Sequence, residues 1–262
     1  ETSAASGRWI SVDEVTAGLL DARFDVRRTD AGLELAGESG PGDESRKLLG
    51  LAVPCIGRDR ELRTLEATLE EVESERIARA VIVTADAGVG KSRLRREWLH
   101  RVRARGGELR TWIARADPLD SRAPHGLIGQ AIRRALGVAD DEPARVKQAR
   151  LREHLAGVLD EEAVERVWPF AAEIIGAPLV AVTSRSLAAA RGDRALMAER
   201  MRLAFEEWIV AECKHPLLIG LDDAHWSDAA TLRLLDAALA AAAEHPLLVA
   251  IFARPPLRDA HP

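Results

Sequence analysis

The run VIVTADAGVGKS, Val81 to Ser92, sets residues that can bind phosphate at a fixed spacing. A phosphate-cradling loop of the Walker A type reads G-x-x-x-x-G-K-[ST]. Gly90, Lys91 and Ser92 stand where that pattern needs them, but its opening glycine is replaced by Ala85. Asp86, Ala87, Gly88 and Val89 fill the loop, and Arg93 follows it. In such a loop successive backbone N–H groups point inward, and the helix that follows adds about half a positive charge at its N-terminus. Gly88 and Gly90 let the main chain approach an anion without a Cβ in the way. Lys91 would reach the β- and γ-phosphates, and the Ser92 hydroxyl would ligate Mg²⁺. Alanine at position 85 costs roughly 1–2 kcal/mol if the backbone there needs a positive φ. It costs almost nothing if a strand ends there in the β region. Phosphate and metal contacts outweigh a penalty of that size, so Ala85 is read as a tolerated variant. The competing reading, a glycine-rich turn, leaves the GKS triplet unexplained.

A second group of residues lies in LLIGLDDAHWSD, where an apolar run ends in Asp222 and Asp223. This is the pattern of a Walker B acid pair. Asp222 would hold Mg²⁺ through water, and Asp223 would orient or deprotonate the attacking water. An ordinary helix cap after a strand is the alternative. His225 and Trp226 are read as packing and receive no chemical role. Arg254 ends a later apolar run, where it would sense a γ-phosphate or simply sit at the surface. The arginines at 93, 95, 96, 101, 103 and 105 are expected on the solvated side of one helix rather than on a nucleic-acid surface.

These side chains need a frame. RAVIVTA, before the loop, is a β-branched run expected to form a strand buried on both faces. KSRLRREWLHRVRAR, after it, repeats Leu94, Trp98 and Val102 at helical spacing and stops at Gly106-Gly107. Upstream, GRDRELRTLEATLEEVES places Leu62, Leu65 and Leu69 on one helical face. ELRTWIARA, HPLLIGLDD and HPLLVAIFARPP read as three further strands. Pro124 to Arg191 reads as helices with no clear strand, followed by one long helix, RALMAERMRLAFEEWIVAECK. Ser227 is the expected N-cap of the helix after the acid pair. Strands alternating with helices imply an α/β fold with a parallel sheet covered on both faces.

The N-terminal stretch has a different pattern. Ser11 is the expected cap of a helix through Leu20, with Glu14 at the capping-box position. RFDVRRTDAGLEL reads as a hairpin turning at Asp30-Ala31-Gly32. GESGPGDESRK, polar and rich in glycine, reads as a linker.

The chain has 262 residues and a net charge of −5, which argues against a chain-wide surface for nucleic acid or anionic membrane. No apolar run reaches membrane-spanning length. Cys55 and Cys213 show no metal-ligand spacing and read as two thiols of a reducing cytoplasm. The first residue is Glu1 and the end is proline-rich, which reads as a fragment of a longer polypeptide.

The stretches CIGRDREL, VIVTADAGVGKSRL, PLLIGLDDAHWSDAATLRLL and LLVAIFARP together resemble the ATPase module of bacterial signal-transduction ATPases with numerous domains, an AAA, origin-recognition-complex-like ATPase domain. The resemblance covers about residues 51–262. It implies a P-loop NTPase fold of the ASCE type, with strand four lying between the loop strand and the acid-pair strand and a helical insert between strands two and three. It implies that Ile56, Gly57 and Arg58 lie against adenine. Ala85 departs from the family pattern, and a fifth strand and lid are missing, which leaves the loop strand as a sheet edge. ISVDEVTAGLLDARFDV with GLELAGE is similar to the closing segment of class III nucleotidyl cyclase domains. The expected organisation is residues 1–37 as the tail of an upstream domain, 38–50 as linker and 51–262 as ATPase domain.

The function expected from these residues and from the resemblance is an ATP-binding, slowly hydrolysing regulatory switch of a multidomain signalling protein. ATP or ADP and Mg²⁺ are its ligands. Flanking domains of the same chain, and self-association that depends on nucleotide, are its expected partners. Turnover needs an arginine from a partner or a lid, so it is expected to be low. A non-catalytic interaction module and a small-molecule phosphotransferase remain alternatives.

Overall fold

The computed structural model describes residues 10–19, 24–29, 32–38, 47–48, 51–52, 56–117, 124–180 and 184–255. Near the N-terminus, β1 (Ile10–Val12), α1 (Glu14–Leu19), β2 (Phe24–Thr29) and β3 (Gly32–Glu38) follow one another. β1 and β2 flank β3 in an antiparallel sheet. The expected hairpin is present, with Thr29 opposite Gly32, although Asp30 and Ala31 lie outside the described residues. The cap of α1 differs from expectation. Ser11 is held in β1 opposite Glu34, so the first residue released from the sheet is Asp13. Its carboxylate accepts the Thr16 N–H at 2.7 Å. At the end of the stretch read as a linker, β4 (Lys47–Leu48) pairs with β5 (Leu51–Ala52), just beyond it, in a short antiparallel ribbon.

From residue 59 onward strands and helices alternate. The order is α2 (Asp59–Glu75), β6 (Arg79–Thr84), α3 (Lys91–Arg105), β7 (Arg110–Arg115), α4 (Gly126–Ala135), α5 (Ala144–Ala156), α6 (Glu161–Ile174), α7 (Arg185–Arg191) and α8 (Arg194–Glu212). Then come β8 (Leu217–Asp222), a 3-10 turn (Ala224–Trp226), α9 (Ala229–Ala241) and β9 (Leu247–Ala253). β6, β9, β8 and β7 lie side by side in that order, all parallel. The fourth strand of this unit, β9, therefore separates the loop strand β6 from the acid-pair strand β8, as expected. No strand interrupts α4 to α8 among the described residues.

Alternate side chains of each strand point to opposite faces. On one face Ile113, Leu218, Leu248, Ala250 and Phe252 meet the apolar stripes of α2 and α3, where Leu62, Leu65, Leu69 and Trp98 are buried. On the other face Trp112, Ile219, Leu221, Val249 and Ile251 meet the helical insert and α9. β6 is not buried on both faces. Val81 and Val83 pack toward α2 and α3, but Ala80 and Thr84 are exposed and Ile82 is 48 % exposed. β6 pairs only with β9 among the described residues, so the helices covering β7, β8 and β9 do not reach over its second face. A β-branched run looks the same at the centre and at the edge of a sheet; topology decides its burial.

At the opposite end of the sheet from the loop, a buried carboxylate ties the insert to the strands. Glu212, fully buried at the end of α8, accepts hydrogen bonds from Trp208 Nε1 at 2.8 Å and Arg110 Nη1 at 2.6 Å and contacts His154 of α5. Burial pushes its carboxyl up, but bonds from His154, Trp208 and Arg110 outweigh that and leave it below the usual glutamate range. Next to it Cys213 is buried and free, its thiol pushed up to about 12 by burial, which makes it unreactive. Cys55 lies outside the described residues. No described helix is long and apolar enough to cross a membrane.

Candidate functional site

The loop between β6 and α3 settles the backbone question at position 85. The Ala85 N–H donates to Ala253 O at 3.3 Å, extending the β6–β9 ladder by one residue. Ala85 is not among the described residues with positive φ, so its methyl costs nothing there. Gly88 and Gly90 do need glycine: their φ values are +82° and +100°. Gly90 is also the N-cap of α3, and no side chain caps that helix. The N–H groups of Arg93 and Leu94 donate to Gly90 O at 3.0 and 2.9 Å, so those of Lys91 and Ser92 before them remain for another acceptor. Lys91 is buried, and its Nζ donates to Ala85 O at 2.6 Å and Asp86 O at 3.0 Å. The ammonium is thus folded back onto the loop's own carbonyls. Ser92 and Arg93 are half-buried in the first turn, while Asp86, Ala87 and Val89 are exposed.

The segment before α2 reaches the same loop. Arg58 Nη2 donates to Val89 O at 2.7 Å, and Nη1 bonds Glu61 at 2.8 Å. Gly57 has φ +75°, which turns the chain so that Ile56 stands 85 % exposed beside this contact.

The acid pair sits at the C-terminal end of β8. Asp222 has no exposure; its Oδ1 accepts the Asp223 N–H at 3.0 Å, and its Oδ2 lies 3.0 Å from Arg95 Nε. The Nε–H is not aligned on that oxygen, so this is an ion pair rather than a hydrogen bond. Arg95 is 3 % exposed, which corrects its expected place on the solvated face. The buried stripe of α3 is Lys91, Leu94, Arg95, Trp98, Leu99 and Val102, and position 95 falls inside it. Arg101 does follow the expectation, bridging Glu66 and Glu97 at the surface.

Asp223 occupies the left-handed region with φ +52°, and its Oδ2 accepts from Arg115 Nε at 3.0 Å. Arg115 ends β7 directly opposite Asp222 in the β7–β8 register. Arg254 is exposed immediately after Ala253, the residue opposite Thr84. The structure thus brings the loop, both acids and Arg254 to the C-terminal edge of one sheet.

One residue read as packing belongs with them. Both ring nitrogens of His225 are buried without a hydrogen-bond partner. Burial holds its imidazole below the usual histidine range; Asp223 and Asp222 pull it up, and Arg254 and Lys91 push it further down. A histidine in the field of all four is part of this cluster. Its position two residues after the acid pair is the signal in the sequence. Trp226 is 40 % exposed and lines a cleft of about 210 Å³ with Arg115 and Gln130. The cap of α9 is Asp228 rather than Ser227: its Oδ1 accepts from Thr231 N at 2.8 Å and His125 N at 3.0 Å. Ser227 is still extended, leaving the following acid at the capping position.

A parallel sheet in this order, with a glycine-rich loop leading into a helix beside a strand that ends in acids, has the fold of a P-loop nucleoside triphosphatase. Residues 54–250 match the AAA ATPase domain family, and the chain belongs to it. An uncharacterized protein of Rhizobium meliloti (strain 1021) is 27 % identical over 210 residues, which is 77 % of this chain and 19 % of that protein. The chain therefore spans about a fifth of that relative's length. No solved structure matches it.

Proposed function

We propose that this chain is an ATP-binding switch that hydrolyses slowly, within a multidomain signalling protein. The observation that carries the reading is the loop itself: two glycines at positive φ, an uncapped α3 and a buried lysine within reach of the loop's interior. Phosphate oxygens would accept from the free N–H groups of α3's first turn, and Lys91 would exchange loop carbonyls for phosphate. Ile56, Gly57 and Arg58 would lie against adenine; Arg58 already touches the loop. Ser92 and, through water, Asp222 offer the hard oxygen donors that Mg²⁺ takes. When bound, that ion neutralises charge on the β- and γ-phosphates. Asp223 would orient water and Arg254 would sense the γ-phosphate.

Asp223 is engaged by Arg115 in this arrangement, which favours binding over turnover. A non-catalytic module is the second reading, and the same observation supports it. The finer assignment, to signal-transduction ATPases with an origin-recognition-complex-like ATPase domain and with a cyclase-like segment at residues 1–37, rests on motif resemblance. The strands of residues 10–38 and those of residues 79–253 belong to separate sheets, which is compatible with it. The cytoplasmic location rests on the two cysteines without metal-ligand spacing, and the linker near 38–50 on its polar, glycine-rich composition.

A thermal melt with and without Mg·ATP tests the reading. Ligand at about one hundred times its dissociation constant adds about 2.7 kcal/mol. For a chain of this size that raises the midpoint by roughly 5–10 °C. An unchanged midpoint at millimolar nucleotide argues for a structural pocket instead.

A further inference from the structure

Asp222 already has a counter-ion. Its carboxylate is wholly buried, one oxygen takes the Asp223 N–H, and the other lies 3.0 Å from the Arg95 guanidinium. We propose that Arg95 balances on Asp222 the charge that a divalent cation would otherwise balance, so that a nucleoside di- or triphosphate binds the loop nearly as well without metal as with it. The inference rests on the nucleotide reading above and concerns the charge balance of that same site.

A buried carboxylate beside a phosphate site repels a polyphosphate, and unpaired it is itself costly. Where nothing else compensates, a metal ion relieves both effects. Here a guanidinium does so permanently, because arginine stays protonated at any physiological pH. Burial fixes it: the Arg95 and Asp222 side chains are 4 % and 0 % exposed, so neither reaches water without leaving the other unmatched. Arg95 lies four residues beyond Lys91 on α3, between the buried Leu94 and Trp98, which fixes its stem against the sheet. A dication approaching Asp222 meets this positive charge, which weakens metal binding. The phosphates lose little, since Lys91 and the uncapped N-terminus of α3 attract anions without metal. Arg95 is thus a positioning residue that sets the metal dependence of binding.

The experiment is calorimetric titration of the chain with ADP and with ATP, in millimolar MgCl₂ and again in EDTA. The expected affinities in the two buffers agree within about threefold, and a loss of about tenfold or more in EDTA overturns the proposal. Arg95→Met should restore metal dependence, with binding in EDTA falling about tenfold or more below binding in MgCl₂. Arg95→Met combined with Asp222→Asn removes both charges, and binding in EDTA should be tighter than that of Arg95→Met alone. If Arg95→Met keeps the parent's ratio, the proposal is wrong. The parent's own ratio decides the matter even if a variant fails to fold. Absence of binding in both buffers removes the nucleotide reading and this inference with it, whereas strict metal dependence removes this inference alone.

Discussion

Alanine at 85 and glycine at 90 obey different backbone rules. Ala85 continues a strand ladder, whereas Gly90 sits at φ +100°. Ala85→Gly should therefore leave nucleotide affinity unchanged, and Gly90→Ala should weaken it, since a side chain in the left-handed region costs about 1–2 kcal/mol. Fluorescence titration with a labelled nucleotide separates the two. Arg115 holds Asp223 through a pair that is half exposed on the arginine side. Such pairs are worth at most about 1 kcal/mol, so Arg115→Ala should raise turnover by no more than about fivefold. Phosphate-release assays check this, with Asp223→Asn as the inactive reference. The loop and the acid pair were legible because their spacing is local. The burial of Arg95 was misread as a solvated position, although position 95 falls in the Leu94, Trp98, Leu99 stripe. The Arg115–Asp223 pair was not, because it joins residues 108 apart through a strand register that sequence does not display.

At the scale of elements, periodicity identified the helices and strands that position the site, and topology supplied the rest. β6 shows why: its β-branched run fits a central strand, yet Ile82 is 48 % exposed because the strand lies at an edge. Ile82→Thr should change stability by less than about 0.5 kcal/mol, as surface substitutions do, measured by urea denaturation. The caps at Asp13 and Asp228 were displaced by one or two residues from expectation because the preceding strand or turn holds Ser11 and Ser227 extended. Glu212 joins α8 to β7 and α5. Glu212→Ala should destabilise by about 1–3 kcal/mol, because the buried Trp208 N–H loses its acceptor. The folded-state carboxyl lies below its ordinary value, so its contribution is complete above the usual glutamate range. It is lost as pH falls through the depressed value; melts taken from neutral to acid pH read this out, and the alanine variant should lack that component.

For the whole molecule, the features that matter gather at one edge of one sheet. The loop brings positive charge and free amides, and β8 brings two acids, each already matched by an arginine. In the switch we propose, this site would hold a polyphosphate and release its acids only on a change of state. The central claim is that the loop from Ala85 to Ser92 binds nucleoside triphosphate. Titration calorimetry of the parent and of Lys91→Ala with ATP in MgCl₂ tests it most directly. The account predicts saturable binding by the parent and none by the variant; equal affinity in the two would contradict it.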